Sequence, residues 1–184
     1  MKILKNMENR VNIINKRKLK NLKSFKMLAL LAAAMLFCAC GSKASTETKE
    51  SISISKLQET MLAADTTLPE MVVVSDGDEQ ADLNFSYLSD LSYEMVDSYF
   101  YAYAKDGTAE EIAAVKLKDK GDAAAMMDSF HEHIKQRKGT FQEYDPQQVE
   151  MVEHAVVTRQ GNYVTLIISQ KNGLVQKAFQ QSLE

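Results

Sequence analysis

The segment Asp97–Lys118, DSYFYAYAKDGTAEEIAAVKLK, decides the fold that this sequence predicts. Its arms SYFYAYA and EIAAVKLK flank the dipeptide Asp106–Gly107, which favours a hairpin, although the connection here is longer than the tightest turns. In the second arm Ala113, Val115 and Leu117 alternate with lysines, which is typical of a strand with one buried and one solvent-facing side. The segment therefore predicts an antiparallel hairpin that presents one face to a core.

The same order of strand, polar turn and amphipathic helix occurs again near the C-terminus. The first hairpin is followed by a helix that we expect to start at Asp122 and to end at Gly139. The second hairpin turns around Gly161–Asn162 and leads into a last helix. The expected apolar stripes are Ala123, Met127, Phe130 and Ile134 on the first helix, and Leu174, Val175, Ala178 and Phe179 on the second. These two units predict a ββα–ββα pseudo-duplication.

The N-terminal part of the domain adds a helix and a short strand. Ser55–Gln58 fits a capping box at a helix start, and the β-branched run Val72–Val74 follows Pro69. Asp145–Pro146 predicts the start of a shorter helix. Hairpins without long crossovers build an antiparallel sheet whose apolar face helices must cover. We therefore expect an α+β, two-layer sandwich with helices on one face of the sheet, in which an N-terminal helix precedes the pseudo-duplication.

The first 39 residues are predicted to be a signal peptide. Met27–Ala39 is an apolar run of about thirteen residues, whereas a membrane-spanning helix needs about 20. Nine Lys or Arg and one acid, Glu8, precede this run, which is the charged front of a secretory signal whether translation starts at Met1 or at Met7.

Both cysteines of the chain lie at the end of that run, in the stretch Phe37-Cys38-Ala39-Cys40. This stretch resembles a bacterial lipoprotein box, although Phe37 stands where Leu is usual. The resemblance implies that Cys40 is acylated with diacylglycerol and becomes the new N-terminus; an ordinary cleaved signal and an uncleaved anchor are the alternatives. Cys38 would leave with the signal, so the exported domain would have no thiol for disulfides or for thiolate chemistry.

The predicted mature chain divides into a flexible tether, residues 40–54, and a single domain, residues 55–184. The tether consists almost entirely of Ser, Thr, Lys and Glu and cannot bury a core. Residues 1–39 hold nine of the 22 basic and one of the 25 acidic residues, so residues 40–184 have a formal charge of −11. Such a charge disfavours binding to nucleic acid and to anionic lipid. We therefore expect the lipid on Cys40 to hold the protein at the membrane, alone or with help from the partners it binds. An envelope protein or a glycan could be such a partner.

Two stretches invite a metal interpretation, and neither fits one well. The imidazoles of His131 and His133 would point in different directions from a helix, so one ion cannot join them. The acidic loop Asp76–Glu79 lacks the glycine and glutamate positions of an EF-hand, which favours a polar turn. We therefore predict no metal and no cofactor, with the two histidines on solvated flanks of the helix.

The most specific candidate for a binding surface is a stripe of tyrosines. Tyr99, Tyr101 and Tyr103 lie on one face of the predicted strand and could stack on a sugar or line a peptide groove. The alternative is a structural stripe packed under residues 69–91, which is the usual role of such residues. No nucleophile elbow, metalloprotease motif or phosphate loop occurs in the chain, so no catalytic residue is assigned.

Several stretches resemble a known family. LPEM at Leu68–Met71, AEEIAAVKLKD from Ala109, the helix start at Tyr144–Pro146 and GNYVTLIIS from Gly161, together with the cysteine box, resemble the Gram-positive lipoproteins grouped as domain of unknown function 4358. The resemblance spans roughly Ser51–Leu183. It supports the expected location and domain boundary, and it implies no activity.

The function expected from these features is that of a lipid-anchored binding or scaffolding module. It would work at the outer, extracytoplasmic face of the cell membrane. A cell-envelope hydrolase that acts on glycan or peptide is the alternative, with a catalytic site assembled only in the folded state. A deep cleft with converging carboxylates would favour the hydrolase, and a smooth two-layer sandwich would favour the module.

Overall fold

The computed structural model describes residues 52–184 of the chain. The predicted signal peptide, Cys40 and residues 41–51 of the tether lie outside the described residues. The strands, in chain order, are β1 (Met71–Ser75), β2 (Val96–Ala104), β3 (Glu111–Leu117), β4 (Val156–Gln160) and β5 (Tyr163–Ile168). The helices are α1 (Ile54–Ala63), α2 (Ala81–Ser86), α3 (Ala123–Tyr144), α4 (Val149–Glu153) and α5 (Asn172–Ser182). Within this part of the chain no helix is long and apolar enough to cross a membrane.

The five strands form one sheet in the order β1-β2-β3-β5-β4, and all neighbours are antiparallel. The predicted α+β class, the antiparallel sheet and both hairpins are confirmed. One connection differs from the expectation of hairpins alone. Because β3 and β4 both pair with β5, which lies between them, they run in the same direction, and the 22-residue helix α3 connects them as a crossover.

Helices cover both faces of the sheet, so the two-layer arrangement with helices on one face is corrected to three layers. On the first face, here called the tyrosine face, α2 and α3 pack on the strands. Its buried residues include Phe85, Tyr99, Tyr101, Ala113, Val115, Met126, Phe130, Phe141 and Leu166. On the second face, here called the phenylalanine face, α1 and α5 pack on the same strands. Its buried residues include Leu57, Met61, Phe100, Ala102, Ile112, Ala114, Ile167, Val175 and Phe179.

The central strand β3 shows why both faces need cover. Ile112 and Ala114 are as fully buried as Ala113 and Val115, although only the latter pair was expected inside. Successive strand side chains point to opposite faces, so an uninterrupted apolar run places apolar groups on both. The solvent-facing side predicted for this strand is limited to its end, where Lys116 is half-buried.

The order ββα occurs twice, as expected, but the two helices lie on opposite faces. Helix α3 follows β3 onto the tyrosine face, whereas α5 follows β5 onto the phenylalanine face. If a twofold axis normal to the sheet related the two units, both helices would lie on the same face. The repeated order of elements is present without that symmetry, so duplication stays a prediction.

The boundaries of two helices differ from expectation for local reasons. Helix α1 is capped by Ser53, whose Oγ accepts a hydrogen bond from the Lys56 amide at 3.2 Å, and not by Ser55. Helix α3 continues through Gly139, where no chain reversal occurs, and ends only before Asp145. Asp145 precedes a proline and has φ −148° and ψ 86°, because a residue in that position is disfavoured in a helix.

Candidate functional site

A cavity of about 380 Å³ opens on the tyrosine face, where the short helix α2 and the C-terminal half of α3 leave part of the sheet uncovered. This volume lies at the lower end of the range of small-molecule sites. The lining residues come from β1, α2, the turn after α2, β2, β3 and α3. They are Val74, Asn84, Tyr87, Tyr101, Tyr103, Glu111, His133 and Arg137.

The floor of the cavity holds a buried carboxylate between two basic side chains. The Glu111 side chain is only 1% exposed. Nε2 of His133 donates to its Oε2 over 2.7 Å, and Nε of Arg137 lies 2.6 Å from its Oε1. The Arg137 contact is an ion pair rather than an aligned hydrogen bond, since the Nε atom is buried without a hydrogen-bond partner among the described residues. Both oxygens of Glu111 are therefore engaged within the protein.

Strand register and helix periodicity bring these three side chains together. Glu111 starts β3 and has the same phase as Ala113, so it points to the tyrosine face. His133 and Arg137 are four residues apart and share one side of α3. The crossover carries that side over the start of β3, which explains why residues distant in sequence meet. The guanidinium of Arg137 also lies 4.6 Å from the centroid of the Phe141 ring, which fixes its plane.

Tyr101 forms the wall next to this charged group. It is 7% exposed, and its ring meets the His133 imidazole edge to face at a centroid distance of 6.4 Å. Burial raises the pKa of Tyr101, the negative charge of Glu111 raises it further, and Arg137 lowers it in part. The phenol therefore stays protonated at neutral pH, next to the carboxylate of Glu111.

The predicted tyrosine stripe divides into a structural end and a cavity end. Tyr99 is fully buried, its hydroxyl donates to the Ala81 carbonyl over 2.6 Å, and its ring packs against Phe85. This is the packing expected under residues 69–91. Tyr103 is half-buried, stacks at a tilt on Tyr101 at 5.4 Å and lines the cavity. Only the latter two tyrosines of the stripe therefore reach a site.

A smaller hollow of about 100 Å³ adjoins the cavity and shares Tyr87 and His133 with it. Ser89 and Ser129 are hydrogen-bonded there at 2.8 Å, and the Ser129 hydroxyl donates to Oδ1 of Asp90 over 3.0 Å. These bonds attach the segment after α2 to the middle of α3. They fix the spacing of the two walls between which the main cavity opens.

The histidines do not both lie on a solvated flank, as the sequence predicted. His131 is exposed, whereas His133 is 9% exposed and bonded to Glu111. Within residues 52–184 no three His, Cys, Asp or Glu side chains are grouped to hold a metal ion. The acidic loop is a turn in which Asp76 accepts from the Tyr99 amide and Asp78 accepts from the Ser75 amide.

Sequence reasoning missed Glu111, His133 and Arg137, although a signal was present. The buried side of α3 is Ala123, Met126, Ser129, Phe130, His133 and Phe141, which lies about one position away from the stripe that was predicted. His133 and Arg137 fall on that side, and Glu111 has the inward phase of its strand. Ionisable residues at positions whose periodicity places them on the core side of a strand or helix are the pattern that could have identified this site.

Comparison with known proteins identifies a family and no activity. The family described as Domain of unknown function (DUF4358) matches residues 73–169, more than half of the 184-residue chain. This match runs from the middle of β1 to the end of β5 and includes every residue that lines the cavity. No curated protein and no solved structure matches the chain. The chain belongs to the DUF4358 family, as the sequence resemblance predicted.

Proposed function

We propose that this member of the DUF4358 family is a lipid-anchored binding module at the outer face of the cell membrane, and that it binds a small molecule in the cavity of the tyrosine face. The observation that carries the ligand site is the cavity itself. It combines aromatic walls with a few convergent polar groups, which is the usual composition of a small-molecule site. The rest of the tyrosine face is packed by α2 and α3.

The lining of the cavity favours binding over hydrolysis. Glycoside hydrolysis commonly uses two carboxylates on opposite sides of the scissile bond. Glu111 is the one carboxylate among the lining residues, and both its oxygens are engaged. Its sequence neighbour Glu110, which precedes β3, is not among the lining residues. A carboxylate that is only 1% exposed and paired with two basic side chains is poorly placed to attack substrate or to activate water.

The proposed anchor rests on the sequence of the leader. A basic front, an apolar run too short to span a bilayer and the Phe37–Cys40 box support export and acylation at Cys40. The tether of about fifteen residues would keep the start of the domain within about 50 Å of the membrane. A ligand in the envelope, or one presented there by a protein or a glycan, would then be within reach.

The anchor is tested by metabolic labelling with a fatty-acid analogue. Cys40→Ala should abolish labelling, because only a thiol can form the diacylglyceryl thioether, and Cys38→Ala should be labelled normally. Labelling that persists in Cys40→Ala would contradict the anchor without bearing on the cavity.

The cavity is tested by a fragment screen on full-length protein purified from membranes. Saturation-transfer NMR should detect bound fragments with the wild-type protein. Asn84 lines the cavity and its side chain makes no hydrogen bond among the described residues, so Asn84→Phe should fill the space and abolish these signals. Leu83→Phe is the matched control, because Leu83 precedes Asn84 on α2, is 47% exposed and does not line the cavity. Equal fragment binding by both variants would contradict the proposed site.

A further inference from the structure

We infer that the cavity of the tyrosine face recognises a small monocarboxylate with a planar apolar body, and that Arg137 binds its carboxylate. This inference rests on the proposed function, since it assigns a ligand class to the same cavity. It begins with the charges that line the cavity. Glu111, His133 and Arg137 are the ionisable side chains that meet at its floor.

The carboxylate of Glu111 is not available to a ligand cation. His133 occupies Oε2 and Arg137 occupies Oε1, and the side chain is 1% exposed. An ammonium group entering the cavity would have to displace one of these partners, and it would also be repelled by the guanidinium. A cationic ligand is therefore disfavoured.

Arg137, in contrast, retains donors for a ligand. Its Nε faces Glu111, and no other carboxylate among the described residues lies within ion-pair distance of its guanidinium. The terminal nitrogens make no hydrogen bond within residues 52–184, and the side chain is 26% exposed at the cavity. A guanidinium with two free terminal nitrogens matches the two oxygens of a carboxylate. Packing on Phe141 holds the guanidinium plane in place for that contact.

Neutral donors and apolar surface complete the match. The hydroxyl of Tyr103 and the amide of Asn84 supply neutral donors, whereas the phenol of Tyr101 also interacts with Glu111. Val74 and the ring of Tyr87 supply apolar surface for a planar group. Because the carboxylate of Glu111 already offsets positive charge of the Arg137 guanidinium, the site suits a single negative charge better than a doubly charged phosphate.

The test compares ligands of one shape and different charge on the full-length protein purified from membranes. The probes are benzoate, the uncharged isostere benzamide, and phenyl phosphate. The chain has no Trp and 7 Tyr, so tyrosine fluorescence reports on a cavity lined by three of them. Benzoate should bind about tenfold or more tightly than benzamide, because only the charged ligand forms the bidentate pair. Phenyl phosphate should bind more weakly than benzoate.

The variant Arg137→Lys is the second part of the test. It keeps the positive charge but loses the planar guanidinium that can pair with both carboxylate oxygens. It should weaken benzoate binding about tenfold and leave benzamide binding unchanged. Benzamide binding equal to benzoate, or stronger phenyl phosphate binding, would overturn the ligand class while leaving the cavity as a binding site. Fragments that bind in the screen while benzoate does not would have the same meaning. Failure of every fragment and every probe would overturn the proposed function as well.

Discussion

The two faces of the sheet are built by alternating residues of the same strands, yet they have different compositions. On the phenylalanine face Leu57, Phe100 and Phe179 are fully buried within one cluster of apolar side chains. On the tyrosine face the core is interrupted by a buried ion pair between Glu111 and its basic partners, beside an open cavity. Burial of apolar area stabilises a fold, whereas buried charge costs desolvation energy. The comparison teaches that one face supplies stability that permits a costly site on the other.

The largest effect is expected on the phenylalanine face. Phe179→Ala should lower the free energy of unfolding by about 3–5 kcal/mol, because loss of the buried ring would leave a cavity between α5 and the sheet. Urea unfolding followed by circular dichroism measures this loss, and benzoate affinity of the folded variant should be unchanged. Leu174→Ala on the same helix is the control. Leu174 is 54% exposed, so this substitution should change the free energy of unfolding by less than about 0.5 kcal/mol. Similar losses in the two variants would contradict the assignment of this face as the stabilising one.

An intermediate effect is expected at the ion pair of the tyrosine face. Glu111→Gln keeps the shape of the side chain and removes the charge opposite Arg137, so it should cost about 1–3 kcal/mol of stability. The loss is smaller than for a fully buried pair, because Arg137 reaches the cavity. Glu70→Gln is the control, since it breaks the exposed pair with Lys105 and should cost less than about 0.5 kcal/mol. Equal urea midpoints for the two variants would show that Glu111 is not held as described.

The smallest effect is expected at Asp65, which connects the end of α1 to the end of β5. Although burial raises the pKa of Asp65, hydrogen bonds from Ser169 and Thr67 lower it below the ordinary value of 3.8. A carboxyl whose pKa is lower in the folded state stabilises the protein above its unfolded pKa, and this contribution is lost as the pH falls through the folded pKa. The stability difference between wild type and Asp65→Asn should therefore be larger at pH 7 than at pH 3. A difference that does not change with pH in urea titrations would contradict this assignment.

The secondary structure was predictable because its signals are local. Alternation and apolar stripes identified both hairpins and the helices that follow them, and Pro69 and Val72–Val74 indicated β1 correctly. Errors arose where two local signals competed. Ser53 and Ser55 can both cap a helix, and Gly139 can end one or lie within it; the positions chosen were the wrong ones.

The layering was less predictable, although part of its signal is local. The run Ile112–Val115 is continuously apolar, which is typical of a strand buried on both faces. The prediction gave more weight to the alternation of Val115 and Leu117 with lysines at the end of the strand, and it therefore expected only one buried side. Which helix covers which face depends on the crossover from β3 to β4, and strand order cannot be derived from the periodicity of single segments.

The sequence by itself determined the α+β class, the antiparallel hairpins, the family and the tyrosine stripe as the candidate surface. Only the tertiary structure decided that Tyr99 is structural while Tyr101 and Tyr103 line a cavity, and that Glu111 meets His133 and Arg137 there. The physical reason is the range of the interactions. Periodicity reports which side of an element is buried, whereas an ion pair between residues more than twenty positions apart depends on where the crossover places the helix.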